Sequence, residues 1–314
     1  MRILVTGSLG HIGSRLIREI PNYFPSLELV IIDNLSTKRY ASLFNLPGNA
    51  VYRFVDGDIL ETDLTSLMAG VDAAVHLAAI TDAAGSFQDR EKVEYVNYNA
   101  TQKVAESCVL LGIPMIHLSS TSVYGTQEST VDEDCPEEDL KPQSPYAETK
   151  LREERLLQEM AITKDLHFVT CRFGTIVGIS PGMRFHTAVN KFCWQAVLGQ
   201  PLTVWRTALH QKRPYLSLDD AINALCFILD RRRFDNRVYN VVTENLTVND
   251  VITWIRPHIT NVRIKYVDAE IMNQLSYEAS NQRFCNLGFV FTGSIEKNIA
   301  ETIGLLRKAG GYSD

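Results

Sequence analysis

Residues 6–14 read "TGSLGHIGS". Gly7, Gly10 and Gly13 stand three apart, between the apolar run "RILVTG" (2–7) and the helically spaced "HIGSRLIREI" (11–20), which stops at Pro21. A continuous apolar run suits a strand buried on both faces. Glycines at the joint let the backbone approach a ligand closely, and a helix N-terminus offers unpaired N–H groups to a negative charge. About 20 residues on, Asp33 ends a second apolar run, "LELVIID" (27–33). Strand, glycine turn, helix, strand and terminal carboxylate together point to a dinucleotide-binding βαβ unit.

The same rhythm continues outward. "VYRFVDGD" (51–58), "AAVHLAA" (73–79), "PMIHLSS" (114–120) and "HFVTCRF" (167–173) read as the third to sixth strands. Helices are expected over 93–112, closed by Gly112, and over 144–161, with Ser144 as N-cap and Pro145 at the first helical position. Repeated βα units predict an α/β fold: a doubly wound parallel sheet of the Rossmann kind. After Gly174 the rhythm breaks. A Rossmann domain over 1–173 and 213–242 is expected, with a smaller discontinuous α/β substrate lobe from 174–212 and 243–314 capping the C-terminal edge of the sheet.

Composition narrows the class. Of 314 residues, 45% are apolar and 22% charged, which suits a globular enzyme, and a net charge of −6 gives no broad basic face for nucleic acid. The basic run "DRRRF" (230–234) reads as a solvated helix C-terminus. Six scattered cysteines form no CxxC or Cys/His cluster, so no metal site is expected, and their use fits a reducing, cytoplasmic setting. "MRILVTG" leads straight into a strand with no signal-peptide pattern, and no apolar run is long enough for a membrane span. The acidic stretch Glu128–Asp139 reads as a solvated loop, with a lid over the site as the alternative.

The dinucleotide contacts follow from the strand ends. Gly7, Gly10, His11, Ile12 and Gly13 form the phosphate turn. Asp33 faces the adenosine ribose hydroxyls and disfavours a 2′-phosphate, so the expected cofactor is NAD, with Lys38 and Arg39 pulling the other way. Asn34, Asp58, Ile59, Leu77, Ala78 and Ala79 extend the cofactor set.

"YAETK" places Tyr146 and Lys150 at i and i+4, on one helix face. A tyrosine phenol is a poor base at its peptide pKa of about 10. A nearby ammonium favours the phenolate. Tyr146 then becomes a general base for a substrate hydroxyl, with Lys150 as its electrostatic partner.

With these residues in view, the chain resembles the extended short-chain dehydrogenase/reductase superfamily, and within it the NAD-dependent sugar-nucleotide epimerases and dehydratases. The resemblance rests on "TGSLGHIGS", "DNLS" (33–36), "GDI" (57–59), "HLAA" (76–79), Asn97, "SSTSVYG" (119–125), "SPYAETK" (144–150), "RFGTIVG" (172–178) and "RPYLSLDD" (213–220). It implies that Asn97, Tyr146 and Lys150 also contact NAD, that Ser120 hydrogen-bonds the reacting hydroxyl, and that Ser120, Tyr146 and Lys150 form the catalytic trio. It also implies that the residues at 121 and 122 sort reaction classes. Dehydratases carry an Asp-Glu pair there, decarboxylases a Glu at the second position, and C3/C5 epimerases a Cys; here they are Thr121 and Ser122. What remains is hydride chemistry at one carbon, closest in motifs to UDP-galactose/UDP-glucose 4-epimerases. Net 4-dehydrogenation or 4-keto reduction of a hexose or heptose nucleotide is the alternative. A threonine 3-dehydrogenase-like enzyme and a non-catalytic NAD-binding regulator stand further off.

Substrate contacts are expected from Thr81, Ser122, Thr175 and Arg213. Thr175 stands where the family has Asn, and Thr81 where 4-epimerases have Lys. The arginine that the family places around 270–280 is missing from "DAEIMNQLSYEAS" (268–280), leaving Arg184, Lys191 and His210 to supply charge and Trp205 to line the base pocket. The implied partners are a nucleoside-diphosphate sugar, no nucleic acid, no membrane, and a second copy of the chain joined as a homodimer through the helices at 91–111 and 145–161.

Overall fold

The computed structural model describes residues 1–83, 85–127, 130–268 and 276–311. Its first half runs β1 (Arg2–Thr6), α1 (His11–Glu19), β2 (Leu27–Asp33), β3 (Ala50–Asp56), α2 (Leu64–Leu67), β4 (Ala73–His76), α3 (Arg90–Leu111), β5 (Met115–Ser120), β6 (Thr130–Val131) and α4 (Pro145–Lys164). The second half runs β7 (Phe168–Phe173), β8 (Thr175–Val177), α5 (Ala188–Val197), β9 (Leu202–Trp205), β10 (Lys212–Ser217), α6 (Leu218–Asp230), β11 (Val238–Val241) and β12 (Glu244–Thr247). It ends with α7 (Val248–Ile255), β13 (Ile264–Val267), β14 (Glu278–Ala279), α8 (Gln282–Cys285) and α9 (Ile295–Leu306).

Seven parallel strands make the main sheet, in the order β11-β7-β5-β4-β1-β2-β3. Strand order reverses between β1 and β4, the place where a doubly wound sheet opens a crevice beyond its strand ends. Alternate side chains of the sheet feed two cores. Ile3, Val5 and Ile31 pack with Leu16 and Ile17 of α1, Leu225 of α6 and Phe284 of α8. Leu4, Val30 and Ile32 pack on the other face with Val104 of α3 and Leu157 of α4. The two long helices start and stop as their sequence dictates. Ser144 Oγ accepts the Ala147 N–H at 3.2 Å, and Gly112 closes α3 at φ 64°.

A second layer covers the C-terminal edge. β12, β10 and β8 form a three-stranded sheet, and β9 pairs with β13. The segment 213–217, expected within the Rossmann domain, pairs in this layer. Its parallel partner is β8, which diverges from β7 immediately after Gly174. The chain returns to the main body at α6. Buried Asp220 fastens the joint, accepting N–H bonds from Thr292 and Gly293 at 2.9 Å and the Thr243 hydroxyl at 2.7 Å. The tail also returns, since Phe284 and Phe289 complete the core under α6.

Most described residues of the acidic stretch are exposed, as a solvated loop would be, and among its carboxylates Glu133 is the exception. Residues 128 and 129 lie outside the described residues, but β6 pairs with β14. The Glu133 carboxylate is 1% exposed and accepts the Asn240 N–H of edge strand β11 at 2.5 Å. That carboxylate ties the loop to the edge of the main sheet. Among the described residues, no helix is long and apolar enough to cross a membrane.

Candidate active site

The strand ends and the second layer enclose two adjoining cavities. One, of about 170 Å³, is lined by Gly7, Gly10, His11, Ile12, Gly13, Asp33, Asn34, Asp58, Ile59, Leu77, Ala78 and Ala79. The other, of about 470 Å³, is lined by Ser120, Ser122, Tyr146, Lys150, Thr175, Arg213 and Thr81. His11, Ile12, Leu77, Ala79, Thr81 and Arg184 belong to both walls.

The glycine turn is built by close approach. Gly7 has φ 61°, and a Cβ on it would lie 2.6 Å from the Ala78 nitrogen. A Cβ on Gly13 would lie 2.5 Å from the Gly7 carbonyl oxygen. Gly10 is different: beyond the Gly7 carbonyl at 3.2 Å, its Cβ would meet only the Arg39 guanidinium, at 3.9 Å, on the cavity side. Asp33 sits at the carboxyl end of β2, where it accepts the Leu9 and Leu35 N–H groups at 3.0 and 2.9 Å. Asp58 is held by Asn34 Nδ2 and the Leu60 N–H, each at 2.8 Å. His11 is pinned by its Nε2 to the Gly178 carbonyl at 2.8 Å, and burial lowers its pKa to about 4.

A dinucleotide fits this cradle. The turn has backbone where side chains would obstruct. Thr81 Oγ1 and Arg184 Nε, on the shared wall, are buried with no hydrogen-bond partner among the described residues. Asn97 is held by the Ile80 backbone, donating to the carbonyl at 2.9 Å and accepting the N–H at 2.8 Å, while its neighbours Val96 and Ala100 line the smaller cavity.

Around the larger cavity, Ser120 caps the short turn Thr121–Tyr124. Its oxygen accepts the Ser122 N–H at 3.2 Å and the Ser122 hydroxyl at 2.9 Å. A hydroxyl has two acceptor positions and one proton. With both acceptor positions filled, the Ser120 proton is left to donate into the cavity. Thr121 is buried against the Tyr277 hydroxyl at 3.1 Å. Tyr124 is also buried, donating to Asn240 Oδ1 at 2.9 Å, which makes it structural.

Tyr146 and Lys150 share the cavity-facing side of α4. The net effect on Tyr146 is opposite to that expected from the pair alone. Burial pushes the phenol above its ordinary value, Lys150 and Arg184 pull it down, and Glu153 adds to the push. The protein without ligand therefore holds Tyr146 as a neutral phenol.

Lys150 reaches Glu153 Oε2 at 2.8 Å. That oxygen also meets His117 Nε2 at 2.8 Å and the Thr101 hydroxyl at 3.0 Å. An ionised carboxylate only accepts, which fixes the hydrogens beyond it. Thr101 donates to Glu153, so His76 Nε2–H donates to Thr101 at 3.2 Å and His76 Nδ1 accepts from Thr6 at 2.8 Å. Thr6 in turn accepts the Leu77 and Ala78 N–H groups at 3.1 Å. A single-direction hydrogen-bond chain thus runs from the cofactor wall to the Glu153 carboxylate, which Lys150 meets as a further donor. Burial, then the Lys150 charge, lowers the His76 pKa to about 3, in keeping with its neutral place in the chain.

Sequence reasoning did not single out Glu153, His76 or His117. The spacing of Glu153 to Lys150 was visible, but its burial was not. Of the auxiliary cations, Arg184 and Lys191 join Arg213 on the larger wall, whereas His210 is exposed and away from it. Arg213 Nε and Nη2 are buried with no partner among the described residues. Trp205 lines the cavity. The segment 269–275, in which the family's arginine was sought, lies outside the described residues.

Comparisons with known proteins agree with this geometry. The model of the NAD dependent epimerase/dehydratase family matches residues 3–241. A UDP-glucose 4-epimerase of Mycolicibacterium smegmatis is 31% identical over 71% of this chain and 72% of its own. An uncharacterised UDP-glucose epimerase of Bacillus subtilis is 29% identical over 77% of this chain and 76% of its own. The structure of UDP-glucuronic acid 4-epimerase from Bacillus cereus, with UDP-glucuronic acid and NAD, superposes with a TM-score of 0.89 at 26% identity, covering 98% of this chain and all of the other. Glycine turn, strand-end carboxylate and Tyr-Lys helix therefore stand in a chain that belongs to the NAD-dependent epimerase/dehydratase family, an enzyme of the extended short-chain dehydrogenase/reductase type that works with NAD.

Proposed function

We propose that the protein is a sugar-nucleotide 4-epimerase acting through transient oxidation at C4 of a nucleoside-diphosphate sugar. The observation that carries this reading is the convergence of Ser120, Tyr146 and Lys150 on one cavity that shares its wall with the dinucleotide cradle. Thr121 and Ser122 bring no acid or thiol. Asp82, the one carboxylate on the described wall, accepts the Gly85 N–H at 3.0 Å. Dehydration and proton transfer at C3 or C5 call for an acid or thiol beside Ser120, where Thr121 and Ser122 stand.

Bound NAD supplies reversible hydride acceptance. Everything else falls to the chain. Ser120 donates to the C4 oxygen and steadies it as a carbonyl. Tyr146, its own proton first released to solvent in the loaded enzyme, takes the C4 hydroxyl proton as a phenolate, keeps it while the keto sugar presents its other face, and returns it. Lys150 holds positive charge beside the phenol while it is ionised. Thr175 and Ser122 border the sugar. Arg213, with unpartnered guanidinium nitrogens, suits the diphosphate, and Arg184 and Lys191 add to the positive wall. The relatives named for UDP-sugars favour a uridine nucleotide. A cytosolic setting is supported by Cys108, Cys171, Cys193 and Cys226, all buried free thiols.

A panel of UDP-, GDP-, CDP- and dTDP-sugars, read for NADH absorbance and product stereochemistry together, tests the reading. A C4-epimer mixture with no net NADH is expected. Accumulating NADH with a released 4-keto sugar would assign net dehydrogenation. Silence on the whole panel by NAD-loaded protein would sink both.

A further inference from the structure

Glu153 lies one helical turn past Lys150 and is 0% exposed. Its Oε2 takes three hydrogen bonds, from Lys150, His117 and Thr101, while its Oε1 is buried with no partner among the described residues. A buried carboxylate with a bare oxygen is costly to hold ionised. A glutamine of the same shape would accept the same bonds without that cost. What the carboxylate adds is charge, and the group it faces is the Lys150 ammonium, itself 4% exposed. Burial alone drives an ammonium to release its proton, and a neutral amine has no pull on a phenol.

We propose that Glu153 is a positioning residue that fixes Lys150 against α4 and keeps it cationic, so that the charge beside Tyr146 is built into the fold. The groups around the pair are Tyr146, Glu153 and Glu154 from α4, His76 from β4, His117 from β5, and Arg184 from the segment between β8 and α5. Both histidines are neutral, their pKa values lowered chiefly by burial. Burial works to lower the Lys150 ammonium too, but the Glu153 carboxylate offsets it and Lys150 stands above its ordinary value. The two groups titrate as a pair. Removing one nearby negative charge moves both proton losses of the Tyr146–Lys150 pair to lower pH.

The inference rests on Tyr146 and Lys150 as the acid–base pair, and the test is arranged to need no turnover. In protein carrying isotope-labelled lysine, the Lys150 Nζ resonance is assigned by its loss in Lys150→Arg. Glu153→Gln should lower its titration midpoint by about one pH unit or more. Glu153→Asp, with the charge one methylene further off, should fall between, and serves if the glutamine variant does not fold. Thr101→Val removes a donor to the same oxygen without changing charge. It should lower the melting temperature and leave the midpoint in place. With any substrate that turns over, both limbs of the kcat/KM profile of Glu153→Gln should move to acid pH. A folded Glu153→Gln with an unmoved midpoint overturns the proposal, as does an equal shift in Thr101→Val. A shifted midpoint in a protein inactive on every nucleotide sugar would instead count against the epimerase reading alone.

Discussion

Ser120 and Ser122 differ in what their hydroxyls have left to give. Ser122 spends its proton on Ser120, and Ser120 keeps its own for the cavity. Ser120→Ala should therefore lower turnover by roughly 10²-fold or more, as loss of a donor to a developing oxyanion does. Ser122→Ala should cost less than about tenfold, since the Ser122 N–H still holds Ser120. Tyr146→Phe should lose roughly 10²–10⁴-fold with unchanged melting, because only the proton acceptor is removed. Arg213→Ala should raise KM for the nucleotide sugar more than it lowers kcat, as expected for a contact to a group remote from the reacting carbon. Steady-state kinetics on one epimerised sugar, beside NAD-dependent thermal shifts, reads all four variants.

Elements that alternate apolar and turn signals were legible from sequence: β2 runs over Leu27–Asp33 as expected, and α1 begins at His11 beside its glycine turn. Strands β8, β9 and β13 were not, because only partners distant in the chain make them strands. The same limit hid the site's interior. "AAVHLAA" reads as a buried strand whether or not its histidine is wired to a carboxylate, and Glu153 reads as one more helix charge. Helices α3 and α4 lie side by side, with Arg90–Glu148 at 2.5 Å across their outer surface. Tyr95, Leu110 and Ile162 of these helices are exposed, Ile162 at 85%. We infer that this pair of helices joins a second copy of the chain. Light scattering should show a dimer, and Tyr95→Glu combined with Ile162→Glu should yield a monomer that still binds NAD.

At the scale of the whole molecule, neutral histidines buried on both sides of the crevice tie stability to pH. His76 is held at about 3 and His11 at about 4, against 6.5 when unfolded. Below about 6.5 the unfolded chain binds protons that the fold refuses, so stability is fully present above that value and falls as pH drops toward about 4 and then 3. Urea unfolding as a function of pH should show this slope. His76→Gln should flatten it by up to about 1.4 kcal/mol per pH unit, one proton's worth. The joint at Asp220 bears on how such a scaffold can diversify. Strand β10 lies in the upper layer, α6 in the lower, and one carboxylate clasps segments around 243 and 292 to the junction. No single cut releases the substrate layer as a transplantable cassette, so recombination between relatives would break the cores of both. New preferences for sugar or base on this framework must then arrive by point substitution along the cavity wall, at positions such as 81, 175 and 184, with the joint left untouched.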